Sequence, residues 1–388
     1  MTRRRPVYLD HQATTPLDPR ALEAMLPWLT GEFGNAASRQ HSWGWTAESA
    51  VAAAREEVAA ALGVPPHEVV VTSGATESNN LAILGAARAA KGRRHVVTSA
   101  VEHRAVLDPC RQLAAEGFSV TVLPPDAAGR VSPDAVAAAL TDGTALVSLM
   151  AANNEVGTLA PVAEIGALCA ERGVLFHTDA AQAFGKVPLD LSSGTALASL
   201  SAHKLHGPKG VGALWVRGRP RVPLAPILFG GGHERGLRSG TLNVPGIVGF
   251  GAAARLAARE RGEEAARLAR LRDRLDGALR GALDGVTLNG HPVERLPGNL
   301  SLSFAGVDGE RLVAELRDVA VSSGSACTTA AGEPSHVLAA LGVPEALAKA
   351  TLRFGLGRFT TEAEVDFAAV AVVATVRRLR AEKASLSA

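Results

Sequence analysis

Residues 173–204 read GVLFHTDAAQAFGKVPLDLSSGTALASLSAHK, and this stretch decides the fold. It holds two short apolar runs, VLF and ALASL. Polar residues follow each at once: HTD after the first and SAHK after the second. A strand buried on both faces has this near-continuous apolar character. The segment before it, PVAEIGALCAERG (161–173), has helical spacing and ends in glycine. Moving outward, EVVVTSGATES (68–78), HVVTSAVEH (95–103), TALVSLMAANNE (144–155) and VGALWVRG (211–218) repeat the theme. Strands alternating with helices predict an α/β fold, a mostly parallel sheet flanked by helices on both faces. Ligands of such sheets bind beyond the carboxyl ends of the strands. Functional side chains are therefore expected just after each apolar run.

The pattern breaks at 217–245, where Gly and Pro are dense and no period is visible, so this stretch is expected to be loop. A long helix is expected over about 246–283, its mixed charges in RLAARERGEEAARLARLRDRL reading as a solvated face. Beyond it come NLSLSF (299–304) as a strand, GERLVAELRD (309–318) as a helix and VAVSSGSAC (319–327) as a strand running into a loop. ATLRFGLGR (350–358) then reads as a strand, with a last helix over about 361–382. These form a smaller α+β unit. The expected division is a large domain over 16–257 and a small one made of 1–15 plus 258–388.

Composition sets limits. Of 388 residues, 47% are hydrophobic and 20% charged, so a sizeable core forms without covalent staples. The formal charge of +2 is too mild to argue for direct nucleic-acid binding. The basic TRRRP at 2–6 reads as a solvated tail. No apolar stretch reaches membrane-spanning length, and no secretory signal is visible. The 3 cysteines, Cys110, Cys169 and Cys327, are far apart with no CxxC. That argues against a disulfide framework and a resident metal site, and for a reducing cytoplasm.

Each candidate has an ordinary reading beside its chemical one. Lys204, just after a strand, can form a Schiff base with an aldehyde if its surroundings lower its pKa from about 10.4. A lysine in a Gly/Pro loop is more often simply solvated, as Lys209 is expected to be. Asp179 ends VLFHTD, where a carboxylate is costly unless paired. A protonated pyridine nitrogen would pair it, and so would the backbone of a helix start. The turn TSGATES combines Gly74, the hydroxyl of Thr76 and a helix N-terminus, which together make an anion site, or else a capping box. His103 also follows a strand; structural histidines are the commoner case. Asn153 and Asn154 stand at the next strand end, with one amide expected to meet a cofactor oxygen or a substrate carboxylate. Gln182 lies three residues after Asp179. Arg353, inside an apolar strand, needs a partner, which an amino-acid carboxylate would supply. The conjunction suits pyridoxal phosphate and an amino-acid substrate. Finally, Cys327 sits in SSGSACTTAAGEPS (322–335), among small residues that give it little to pack against.

The motifs YLDHQATTPLDPR, FGNAASRQH, VTSGATESNNLAI, VEHRAVLD, NNEVG, HTDAAQAFGK, SAHKLHGPKG, GGGHERGLRSGT, SSGSACT and TLRFGLGRFTTE follow one another in this order. In that set the chain resembles the cysteine desulfurases, fold-type I pyridoxal-phosphate enzymes of the class V aminotransferase superfamily, in the group with a long cysteine loop. The resemblance implies conversion of L-cysteine to L-alanine, with a persulfide on Cys327 passed to an acceptor for iron–sulfur cluster assembly or tRNA thiolation. It implies that Lys204 carries the cofactor, Asp179 pairs with the ring nitrogen and Gln182 with the ring oxygen. His103 would stack on the ring and move a proton. Ala75, Thr76, Ser201 and His203 would hold the phosphate. Thr241 would reach the phosphate of a neighbouring subunit in an obligate homodimer. Asn154 and Arg353 would bind the substrate carboxylate. No resident metal is implied; Cys327 would at most ligate an iron–sulfur cluster in passing. Ala202 and Ala181 depart from commoner Gly and Thr without removing a functional group. The short end RRLRAEKASLSA leaves the docking of a scaffold protein open. Selenocysteine lyase or aminotransferase chemistry on the same scaffold, and an inactive sulfur-transfer adaptor, are the alternatives.

Overall fold

A computed structural model describes residues 5–323 and 335–387. Cys327, with Gly324 and Gly332 beside it, lies outside the described residues. Strand β1 (Val7–Tyr8) leads into helices α1 (Pro19–Leu29) and α2 (Ser42–Leu62). There follow β2 (Val69–Thr72), α3 (Ala75–Ala89), β3 (His95–Ser99), α4 (Arg104–Ala115), β4 (Ser119–Leu123) and α5 (Pro133–Ala139). Next are β5 (Thr144–Ser148), α6 (Val162–Glu171), β6 (Leu175–Asp179), β7 (Leu197–Ser201) and β8 (Gly212–Val216). The seven-stranded sheet has the order β2-β8-β7-β6-β5-β3-β4. All neighbours are parallel except β8, which runs antiparallel to both β2 and β7. The strands read as apolar runs because helices cover both faces: every residue of β2, β5, β7 and β8 is buried.

Helix α7 (Val244–Ala282) is capped by Asn243, whose side chain accepts from Gly246 N. Its 39 residues run about 58 Å at 1.5 Å per residue. The first half, through Ala257, packs into the core of the large sheet. From Leu268 to Leu279 it belongs to a second core with Leu9, Phe304, Phe354 and Val372. That second core underlies a four-stranded antiparallel sheet, β12-β13-β10-β9. Its strands are β9 (Val286–Leu288), β10 (Asn299–Phe304), β12 (Ser322–Ser323) and β13 (Thr351–Gly355). Helices α8 (Gly309–Glu315), α9 (His336–Ala340), α10 (Glu345–Lys349) and α11 (Glu362–Ser387) complete the unit.

The expected order of elements is present, with shifted ends. The helix expected at 309–318 stops at Glu315, and the strand expected to 358 stops at Gly355. VAVSSGSAC is not one strand up to its described end. Val319 and Ala320 form β11 against β1, whereas Ser322 and Ser323 pair with β13. The chain changes sheet at Val321. The 217–245 stretch is mostly loop, with one short 3₁₀ turn at Glu234–Gly236. Among the described residues no helix is long and apolar enough to cross a membrane.

Candidate active site

The carboxyl ends of β2, β6 and β7 open on one cavity of about 540 Å³. Ala75, Thr76, His103, Asn154, Asp179, Gln182, Ser201, His203, Lys204 and Arg353 all line it. Parallel strands bring together residues far apart in sequence here. In the β6–β7 register Asp179 stands beside Ser199, two residues before Ser201.

At one end the chain turns from β2 into α3 through Gly74, whose φ of +148° is one that side chains rarely adopt. A Cβ on Gly212, which begins β8, would meet Gly74 Cα at 2.7 Å, so both glycines are needed for the strand to pass this turn. The first N–H groups of α3 therefore face the cavity end together with the hydroxyls of Thr76 and Ser201. Glu77 closes the turn by accepting from Ser73 N (2.7 Å), and Arg238 neutralises it at 2.8 Å. Burial pushes the His203 imidazole down to about 4, and its Nδ1 lies 3.0 Å from Thr14 Oγ1.

The floor is Asp179, which is 7% exposed. Its Oδ2 accepts from Asn79 Nδ2 at 2.7 Å and its Oδ1 from Ala181 N at 2.9 Å. No lysine or arginine hydrogen-bonds to it among the described residues. Asn79 Oδ1 is buried without a partner among the described residues. His103 caps α4, its Nδ1 accepting from Ala105 N at 3.1 Å. In the neutral ring the proton therefore sits on Nε2. Burial lowers the His103 pKa, with Asp179 opposing. Lys204 Nζ donates to Gln12 O (2.5 Å) and Ala13 O (2.7 Å). Gln182 Nε2 donates to the same Gln12 carbonyl at 2.9 Å.

At the far end, Arg353 donates from Nη1 to Asn154 O (2.9 Å). Its Nη2 donates to Asp10 Oδ1 (2.8 Å) and Ser322 Oγ (2.9 Å). The partner that a buried guanidinium on a strand needs is Asp10, which supplies a counter-charge within the chain. Arg353 Nε has no hydrogen-bond partner among the described residues. The two asparagines of NNEVG divide their work. Asn153 Oδ1 accepts from Glu155 N and Val156 N and holds the turn, while Asn154 faces the cavity. Lys209, expected to be merely solvated, is exposed but also lines the cavity. Thr241 is exposed and is not among the lining residues.

Sequence reasoning missed Asn79, Gln12 and Asp10. Asn79 had one signal: it lies one helical turn beyond Ala75 and so shares its face. Gln12 acts through its carbonyl, which no side-chain pattern announces.

The donor set fits a group with an anion at one end and a basic ring nitrogen at the other. Helix N–H groups and hydroxyls meet the anion. The buried carboxylate of Asp179 would face the nitrogen, and the Lys204 amine lines the same cavity. The volume falls in the range of about 300–1,000 Å³ common for small-molecule sites.

Comparison with known proteins agrees with this arrangement. The aminotransferase class-V family profile matches residues 7–367. A protein named cysteine desulfurase IscS from Anaeromyxobacter dehalogenans (strain 2CP-C) is 58% identical over 378 residues, 97% of this chain and 93% of that protein. A solved structure titled NifS-like protein superposes with a TM-score of 0.90 at 38% identity, covering 96% of this chain and 100% of that one. Another, titled SspA in complex with cysteine, gives a TM-score of 0.81 at 37% identity over 91% of this chain and 99% of that one.

Proposed function

We propose, from the premise that this chain belongs to the class-V aminotransferase family and within it to the cysteine desulfurases, a reaction in which its cavity residues and Cys327 move one sulfur atom from L-cysteine to an acceptor. The observation that carries the reading is that Asp179, buried and hydrogen-bonded to Asn79 and Ala181, lines the same cavity as Lys204 and the start of α3.

The family is pyridoxal-phosphate dependent, and the residues present suit that cofactor. Ala75 and Thr76 at the start of α3, with Ser201 and His203, would hold its phosphate; Asp179 would pair with the ring nitrogen, Gln182 with the ring oxygen, and His103 would cover the ring. Bound there, the cofactor supplies an aldehyde for a primary amine and a ring that accepts electron density from the adjacent carbon. Arg353 and Asn154 bind and orient the substrate carboxylate. Lys204 Nζ takes the proton from the substrate α-carbon. His103 exchanges its proton at Nε2, since Nδ1 is held by Ala105 N–H. The Cys327 thiolate attacks the substrate sulfur. An S–S bond forms as the substrate Cβ–S bond breaks. The electron pair stays on Cβ, which is protonated to the methyl group of alanine. The persulfide on Cys327 then serves an iron–sulfur scaffold or a tRNA-thiolating enzyme. A solved neighbour whose title includes cysteine supports the substrate assignment.

Two further assignments belong to this reading. The chain divides into 16–257 and 1–15 plus 258–388, supported by the two separate cores that α7 joins between Ala257 and Leu268. The enzyme is a homodimer in which Thr241 completes the partner's phosphate site. Support comes from exposed aromatic side chains: Phe33, between α1 and α2, is 72% exposed and stacked on Trp43, and Phe229, in the loop before α7, is 84% exposed. Exposed apolar surface of this kind suits an interface.

The test is incubation of the purified holoprotein with L-cysteine, followed by mass analysis of the Cys327 peptide and assay of alanine. One added sulfur on Cys327 and stoichiometric alanine are expected. Cys327→Ser retains cofactor absorbance and releases no sulfide. Alanine and sulfide production by Cys327→Ser at the parent rate would sink the assignment, and keto-acid-dependent turnover would favour an aminotransferase.

A further inference from the structure

Lys186 lies four residues after Gln182, in the turn that follows β6. Phe184 N donates to Ala180 O and Val187 N to Ala183 O, which makes this turn compact. Its path is fixed at Gly185, where φ is +74° and a Cβ would meet Ala257 Cβ at 2.9 Å. Lys186 Nζ donates to Gln182 Oε1 at 3.2 Å.

The chemistry at each end assigns the Gln182 amide. An ammonium has no acceptor, so the atom facing Lys186 is the oxygen. A backbone carbonyl has no donor, so the atom facing Gln12 O is the nitrogen. Both constraints give the same orientation. The second N–H of Nε2 bonds nothing among the described residues, on a side chain that lines the large cavity.

We propose that Lys186 is a positioning residue: its ammonium fixes and polarises the Gln182 amide so that the free N–H is a strong donor to an anionic oxygen of the ligand in the cavity. The proposal rests on the reading that Gln182 meets the cofactor's ring oxygen. A cation on the amide oxygen draws electron density from the nitrogen and strengthens the N–H as a donor. Glu264 favours the charged form of Lys186, but its carboxylate is held by Arg358 at 2.8 Å, and Lys204 and Arg353 oppose it. Lys186 also borders a second, small cavity of about 30 Å³ with His11, Glu264 and Arg358, which leaves room around its head. Burial, and secondarily Lys204, push the Lys186 ammonium down to about 7. Its retention in that place is costly unless the donated bond is used.

The experiment compares the pH midpoint of the bound cofactor's visible absorption band in the holoenzyme and its variants. Gln182→Ala displaces the midpoint. Lys186→Met moves it in the same direction by about one pH unit, about 1.4 kcal/mol. In the Gln182→Ala background Lys186→Met adds nothing, because the lysine acts through the amide. Lys186→Arg, which keeps a charged donor, restores the parent midpoint. If Lys186→Met fails to fold, Lys186→Gln, a neutral donor, replaces it and gives a smaller shift of the same sign. An unmoved midpoint in Lys186→Met while Gln182→Ala shifts, or a shift that simply adds to that of Gln182→Ala, overturns the positioning role alone. An unmoved midpoint in Gln182→Ala overturns the ring-oxygen role of Gln182 and this proposal with it.

Discussion

The two ends of the cavity are built in different ways. The Asp179 end rests on strands of one sheet and on the helix starting at Ala75, with a hydrophobic core on each face of that sheet. The Arg353 end is assembled from β13, the N-terminal residues Asp10–Thr14 and the NNEVG turn, with Asp10 and Arg353 separated by 343 positions. The first end is rigid by topology. The second depends on ion pairs between distant segments, so its geometry is the easier to disturb without unfolding the large sheet. That contrast suits a site that must grip a cofactor permanently and a substrate briefly.

The largest effect is expected at the rigid end. Asp179→Asn removes the charge proposed to face a ring nitrogen; its amide oxygen still accepts from Ala181 N, and its amide nitrogen donates to Asn79 Oδ1 once the Asn79 amide turns over. The loss of a buried charge pair, about 3–5 kcal/mol, corresponds to a drop of about 10²–10⁴-fold in kcat/KM. Steady-state alanine formation measures it; a loss under tenfold would make the two ends alike. Next comes the tether of the assembled end. Asp18 is 1% exposed at its side chain and accepts from Arg20 and Arg358, and Arg358 also bonds Glu264 on α7. Asp18→Asn strands part of that cation and costs about 3 kcal/mol, read from urea unfolding.

A pH experiment probes the strands beneath the floor. His177, fully buried, has Nδ1 2.8 Å from Ser148 Oγ and Nε2 2.9 Å from Ser199 Oγ, and burial pushes it down to about 3. Its folded pKa is below its unfolded value of about 6.5, so the unfolded chain binds the proton first. Its contribution is intact above about pH 6.5 and is lost as pH falls towards 3. At pH 5 the loss is about 2 kcal/mol. His177→Gln should flatten urea-derived stability between pH 7 and 5, and an unchanged slope would show that His177 takes its proton while folded. The smallest effect is at the substrate end. Arg353→Lys loses the planar fork and raises KM for L-cysteine about tenfold, with a smaller change in kcat. An equal fall in kcat would place Arg353 in the chemical step instead.

What was legible in the sequence follows the same divide. Lys204, Asp179 and His103 could be singled out because a parallel sheet delivers strand-end residues to one edge whatever the loops do. The Gln12 carbonyl, 170 positions from Gln182, could not, because its role exists only after the chain closes on itself, and Asn79, 100 positions from Asp179, offered no more than a shared helix face with Ala75. Arg353 was half legible. Its burial on a strand announced a needed partner, but Asp10 as that partner depends on β13 lying beside the N-terminal segment, where Asp10 bridges Gly355. Lys209 misled in the other direction, since exposure in a loop does not say which cavity the loop borders. The break at Val321 was hidden because a two-residue change of sheet leaves no periodicity to read.

Three lysines, Lys186, Lys204 and Lys209, stand at or beside the large cavity, and only one of them is assigned the covalent bond to the cofactor. Borohydride reduction of the holoenzyme followed by peptide mass mapping distinguishes them. A single pyridoxyl mark on Lys204 is the predicted result, and a mark on Lys186 or Lys209, with Lys204 unmodified, would contradict the account.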